Sequence, residues 1–203
     1  MKSNLNSQVK QDISTDPVED YLTSLTQAIR AISQEEIWAV IEVLYQAWQD
    51  GRRVFLCGNG GSAATASHMA NDLNKFTIAE GKPRLKAISL TDNIPLLTAW
   101  GNDSSYEDIF SEQLINFVEP GDVLIAISAS GNSPNVIKAL KTAQAHQAIT
   151  IGFSGDTGGK MKQLVDYCIL IPDEYIGRQE DGHMILDHVI SYTLRGMIAG
   201  NFP

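Results

Sequence analysis

Two stretches of this 203-residue chain carry residue types that seat anions. The apolar run Val54-Phe55-Leu56-Cys57 leads directly into Gly58-Asn59-Gly60-Gly61-Ser62, and residues 63–70 then read as a helix start. Glycines let a backbone turn tightly and approach a ligand, while a helix N-terminus offers free N–H donors and a positive dipole end. The second stretch repeats this with hydroxyls: residues 123–127 end in Ser128-Ala129-Ser130-Gly131-Asn132-Ser133, and Pro134 follows at a first helical position. Uncharged donors at two strand-to-helix junctions suit a terminal monophosphate that must be released after turnover. Gly58-x-Gly60-x-x-Ala63 also satisfies a relaxed dinucleotide fingerprint. That rival wants an acidic residue about 20 positions on. Asp92, the nearest candidate, follows Gly58 by 34 positions, which weighs against it.

Proton-handling and metal-binding groups are few. The four histidines are His68, His146, His183 and His188. His68 and Asp72 lie four apart on the helix after the glycine loop, hence on one face. Glu180, His183 and His188 belong to an apolar-periodic helix near the C-terminus that carries Met184, Ile185, Val189, Ile190 and Leu194. Glu180 and His188, eight apart, turn to within about 80° of each other on a regular helix. Gly182 between them weakens a continuous helix. A solvated polar face is the bland alternative for this group, and His146 reads as surface.

These residues need a scaffold, and the pattern supplies one. Helical spacing of Tyr21, Leu22, Leu25 and Ile29 predicts a helix over 18–32, opened by Asp16-Pro17. Ser33 caps a second helix that carries Ile37, Val40, Ile41, Leu44 and Trp48 and stops at Gly51. Strand-length runs at 54–57, 86–90, 123–127, 149–153 and 167–171 then alternate with helical stretches. The alternation predicts an α/β fold: about five parallel strands flanked by helices, with an N-terminal helical extension packed on the sheet or on a second subunit. Residues 1–16 read as a flexible tail and 17–203 as a single domain.

Composition narrows the function classes. A net charge of -9 and no evident basic face speak against nucleic acid as a partner. No apolar run approaches the ~18 residues a membrane span needs. Cys57 and Cys168 sit inside apolar strand-like runs and read as reduced core thiols, which points to the cytoplasm.

Both loops, with Gly101-Asn102-Asp103 and Asp108-Ile109-Phe110 between them, resemble the sugar isomerase (SIS) family, specifically its bacterial sedoheptulose-7-phosphate (phosphoheptose) isomerases. The resemblance runs from about Ser33 to Ile198. It implies the SIS fold and an aldose–ketose isomerase, with sedoheptulose 7-phosphate as the expected substrate. Such a reaction moves a proton between adjacent carbons through an enediol, work suited to a carboxylate and a histidine. By resemblance the phosphate falls to Gly60, Gly61, Ser62, Ser128, Ser130 and Ser133, with Asn59 and Asp92 near the sugar. The catalytic pair becomes Asp72 and His188, and a possible zinc ion falls to His68, Asp72, Glu180 and His188. Asp72 stands where the family usually has glutamate, and Glu180 where it has glutamine. A homotetramer is implied as well. The alternatives are a non-catalytic tetramer that binds the bacterial replication initiator and an isomerase of another sugar phosphate.

Overall fold

The structure is a computed structural model that describes residues 16–202. The expected tail therefore lies, apart from Asp16, outside the described residues. Asp16 caps helix α1 (Pro17–Ala31) by accepting from the Val18 N–H at 3.0 Å, and Ser33 caps α2 (Gln34–Gln49) by accepting from the Glu36 N–H. Beyond them come β1 (Arg53–Gly58), α3 (Gly61–Asn71), β2 (Lys86–Ser89), α4 (Ile94–Asp103), α5 (Ser111–Ile115) and β3 (Val123–Ser128). The remainder is α6 (Pro134–Ala145), β4 (Ile149–Gly155), β5 (Tyr167–Ile171) and α7 (Ile176–Ala199).

All five strands are parallel, in the order β2-β1-β3-β4-β5. Successive side chains of a strand face opposite ways, so β1 feeds two cores. Val54 and Leu56 join Ile41, Leu44, Met69 and Phe153 on the face covered by α2, α3 and α7. Phe55 and Cys57 join Phe110, Leu114, Val136 and Leu140 on the face covered by α5 and α6. The N-terminal extension thus packs against the sheet, with Val40, Ile41 and Leu44 of α2 at 1% exposure or less. Strand order reverses between β1 and β3, and open α/β sheets bind ligands beyond the carboxyl ends of the strands at such a switch point. Both anion-type loops leave from β1 and β3.

Two departures from regular helix bear on function. Helix α3 passes into a π-helical turn at Asp72–Phe76, closed by the Thr77 N–H donating to the Asp72 carbonyl at 3.2 Å. Such single-turn bulges recur at functional sites. Helix α7 runs unbroken through Gly182, for a steric reason. A Cβ there would lie 2.8 Å from Ile171 Cδ1, so glycine lets the helix press onto β5.

Candidate active site

The serine loop folds into a cup. Ser128 closes β3, and its Oγ lies 3.2 Å from Ser133 Oγ and 3.5 Å from Ser130 Oγ. Ser133 is the N-cap of α6, yet its hydroxyl accepts no bond from the helix's own amides and stays turned toward the cup. Gly131 has φ +61°, and a Cβ there would sit 2.1 Å from the Gly158 carbonyl oxygen. Only glycine fits. Across the cup, Gly60 (φ +55°) opens α3 without a capping side chain, and Ser62 of its first turn lines the same pocket.

Asn59, Ser62, Ser128, Ser130, Ser133 and Glu180 line a pocket of about 140 Å³. Whole small-ligand pockets run to about 300–1,000 Å³, so this one has the size for an anionic end group. Asn59 is also a strut. Its amide and that of Asn135 exchange hydrogen bonds at 2.9 and 2.8 Å, and Tyr106 donates to Asn59 Oδ1 at 3.2 Å. Sequence reasoning missed the buried Asn135, because one asparagine inside a helix start carries no distinctive signal. Asp92 does not line the pocket. It sits exposed after β2, accepting from Ser67 and, at 3.2 Å, from Thr91. Asp108, in the segment between the loops, pairs with Lys138 of α6, and that ammonium with the Ser104 hydroxyl holds its carboxyl below the usual range.

A second cluster lies along the seam of α3 and α7. His68 Nε2 is 3.2 Å from His188 Nε2 and 3.7 Å from Asp72 Oδ2. Of the residues named from sequence, His68, Asp72 and His188 thus lie close together across the two helices. The cluster's buried member was not anticipated: Asp187, fully covered, puts Oδ2 at 3.9 Å from His68 Nε2 with no hydrogen-bond partner. Burial first, then the charge of Asp72, pushes the Asp187 carboxyl up to about 6. One donor atom from each of His68, Asp72, Asp187 and His188 lies within 4.8 Å of the others, a group able to hold a metal ion. Two imidazoles and two carboxylates are donors that Zn²⁺ accepts. Glu180, placed with the metal ligands by resemblance, is not in this group. It lies against the glycine loop, where a Cβ on Gly61 would meet its Oε1 at 2.5 Å.

The two clusters share their supports. Ser62 and His68 are six residues apart on α3, about 9 Å along its axis, and Glu180 and His188 are about 12 Å apart on α7. An anion cup thus stands roughly two helical turns from a histidine–carboxylate cluster, on the same pair of helices.

The fold and its loops define an open α/β protein with a ligand cleft at the sheet's switch point. A family model described as the SIS domain matches residues 19–155, and the chain belongs to that family. It is 42% identical over 157 residues to a phosphoheptose isomerase of Clostridium acetobutylicum, covering 77% of this chain and 79% of the relative. A phosphoheptose isomerase of Aneurinibacillus thermoaerophilus is 38% identical over 192 residues, or 92% and 96% of the two chains. The solved phosphoheptose isomerase of Neisseria gonorrhoeae superposes with a TM-score of 0.81 at 31% identity, over 87% of this chain and 96% of that one.

Proposed function

We propose that this protein is an aldose–ketose isomerase that converts sedoheptulose 7-phosphate to D-glycero-D-manno-heptose 7-phosphate. The observation that carries the reading is the placement of the anion cup and the His68–Asp72–His188 cluster two turns apart on α3 and α7. A phosphorylated sugar keeps its reacting carbons at the end remote from its phosphate. The shared architecture and the relatives' activity support the same substrate.

Ser62, Ser128, Ser130 and Ser133 bind the phosphate with the amides opening α3 and α6, and the helix dipoles favour its charge. Asp72 takes a proton from C1 of the ketose, and the electron pair forms the C1–C2 double bond of an enediol. His188 protonates O2 as that bond forms. Return of a proton to C2, with loss of the O1 proton, leaves the aldehyde and restores both groups. His68, Asp72 and His188 also suit zinc, which when bound would polarise the sugar oxygens as a Lewis acid in place of the His188 proton.

The protein is read as a homotetramer of one domain over 17–203. An apolar groove between α1, α2 and α7, with Trp38 46% and Val189 41% exposed, supports contact between copies. Free Cys57 and Cys168, together with a phosphorylated metabolite as substrate, support the cytoplasm. Among the described residues no helix is long and apolar enough to cross a membrane. The decisive experiment incubates the protein with sedoheptulose 7-phosphate, with and without zinc, and follows heptose 7-phosphate. Absence of product in both conditions overturns the assignment.

A further inference from the structure

We infer that Asp187, and not Glu180, is the fourth donor of a divalent-cation site completed by His68, Asp72 and His188. Each carboxylate is held from behind and presents one oxygen. Ser191 donates to Asp187 Oδ1 at 3.1 Å, and Asn71 donates to Asp72 Oδ1 at 3.0 Å. The opposite oxygens, both Oδ2, are the ones that face His68 Nε2, at 3.9 and 3.7 Å. Outer hydrogen bonds of this kind orient metal ligands.

Asp187 Oδ2 is buried without a partner, and a buried carboxylate oxygen left so is costly. Among the described residues the charged and titratable groups that act on it are His68 and Asp72, of α3 and its π-turn, and His188 of its own helix; none is a lysine or arginine. Two neutral imidazoles and two carboxylates balance a divalent cation. Spacing agrees. A tetrahedral ion with bonds of about 2.0–2.2 Å sets its donors about 3.3–3.6 Å apart. The observed separations from His68 Nε2 are 3.2, 3.7 and 3.9 Å. His68 is 44% exposed at its side chain, which leaves an ion a way in from solvent.

Glu180 of the same chain stands outside this donor group. It stands about 12 Å up the axis of α7 from His188, with its carboxylate against Gly61. The inference rests on the isomerase reading for the ion's purpose, but binding is measured without substrate.

The test uses the metal-stripped full chain, titrated with Co²⁺ to read the visible absorption of a tetrahedral site and with Zn²⁺ against a chromophoric chelator. Wild-type protein and Glu180→Gln should bind alike. Asp187→Asn should lose on the order of 100-fold in affinity or more, and Ser191→Ala about tenfold, since outer partners contribute roughly 10–100-fold. Zinc should raise the wild-type melting temperature and leave that of Asp187→Asn unmoved. Should Asp187→Asn fail to fold, the Ser191→Ala and Glu180→Gln affinities decide the matter. Wild-type affinity in Asp187→Asn or in Ser191→Ala, loss of the ion in Glu180→Gln, or no binding by the wild type overturns the inference. Sugar turnover alongside normal binding by Asp187→Asn overturns the inference alone. Affinity lost in Asp187→Asn as expected, with no turnover by the wild type with or without zinc, overturns the isomerase reading alone.

Discussion

Replacing His183 with leucine should flatten the acid limb of the protein's stability. His183 is fully buried on the inner face of α7, its ring 6.4 Å from that of Phe153, and neither ring nitrogen has a hydrogen-bond partner. Burial pushes the imidazole from 6.5 down to about 4, and the nearby Ser154 backbone offsets only part of that. As pH falls below 6.5 the unfolded chain takes up a proton that the folded chain refuses until about 4. Stability therefore rises with pH across this window and drains away as pH drops through it. Integrating the linkage gives a loss of about 2 kcal/mol by pH 5 and about 3 kcal/mol by pH 4, relative to pH 7. Asp187 works the other way. Its carboxyl, raised from 3.8 to about 6, keeps a proton in the folded state that the unfolded chain releases, so its contribution falls as pH rises through that range. That opposing effect is common to both proteins and cancels in their difference. Leucine is close to histidine in volume and leaves no unpaired polar atoms, so the variant should match or exceed the wild type at pH 7. The assay is denaturant unfolding at several pH values, with a chelator and one fixed protein concentration. Parallel stability curves for His183→Leu and wild type between pH 4 and 7 would refute the reasoning.

The remaining predictions concern the cleft. Asp72→Asn and His188→Ala should each abolish sedoheptulose 7-phosphate turnover while the circular dichroism spectrum stays unchanged; near-normal rates in either would remove that residue from the proton transfers. Ser130→Ala should raise KM about ten- to a hundredfold with little change in kcat, since a hydrogen bond to a charged group contributes about 1.5–3 kcal/mol. An unchanged KM would show that the Ser130 hydroxyl does not touch the phosphate. Gly131→Ala forces a left-handed conformation and a Cβ 2.1 Å from a backbone oxygen. It should lower stability by at least about 1 kcal/mol and raise KM sharply; a variant with wild-type melting and KM would contradict the rigid cup.

Much of the architecture was legible because periodicity reports burial. The strand expected at 123–127 is Val123–Ser128, and the cap expected at Ser33 opens α2. Turn chemistry was equally plain, since glycine and serine at strand ends have few other uses. The inner face of α7 misled the reading. Of its apolar residues Met184, Ile185, Val189, Ile190 and Leu194, the last two are fully buried as the periodicity implied, yet Val189 is 41% exposed while His183, Asp187 and Ser191 are fully buried. Those three recur every fourth residue, a polar stripe at helical spacing within an apolar helix, and that spacing was the available clue to Asp187. The π-turn at Asp72 left no such clue, because its i to i+5 bond depends on how α3 meets its neighbours. Gly182 misled for a related reason: propensity counts its flexibility, whereas β5 needs its lack of a side chain.

Charge in the cleft also bears on the proposed orientation of the substrate. Glu180 shares the small pocket with the serines, and two like charges about 4 Å apart repel by roughly 4 kcal/mol at an effective dielectric near 20. On the proposed reading the phosphate then sits toward Ser128, Ser130 and Ser133, close to the α6 N-terminus and away from Glu180. From there the α3–α7 seam leads toward His68. It ends at the His68, Asp72, Asp187 and His188 group, where the proposed reading puts the uncharged carbonyl end. The same distribution explains how a chain of net charge -9 can take an anionic substrate. Attraction comes from backbone amides at the serine end of the cleft.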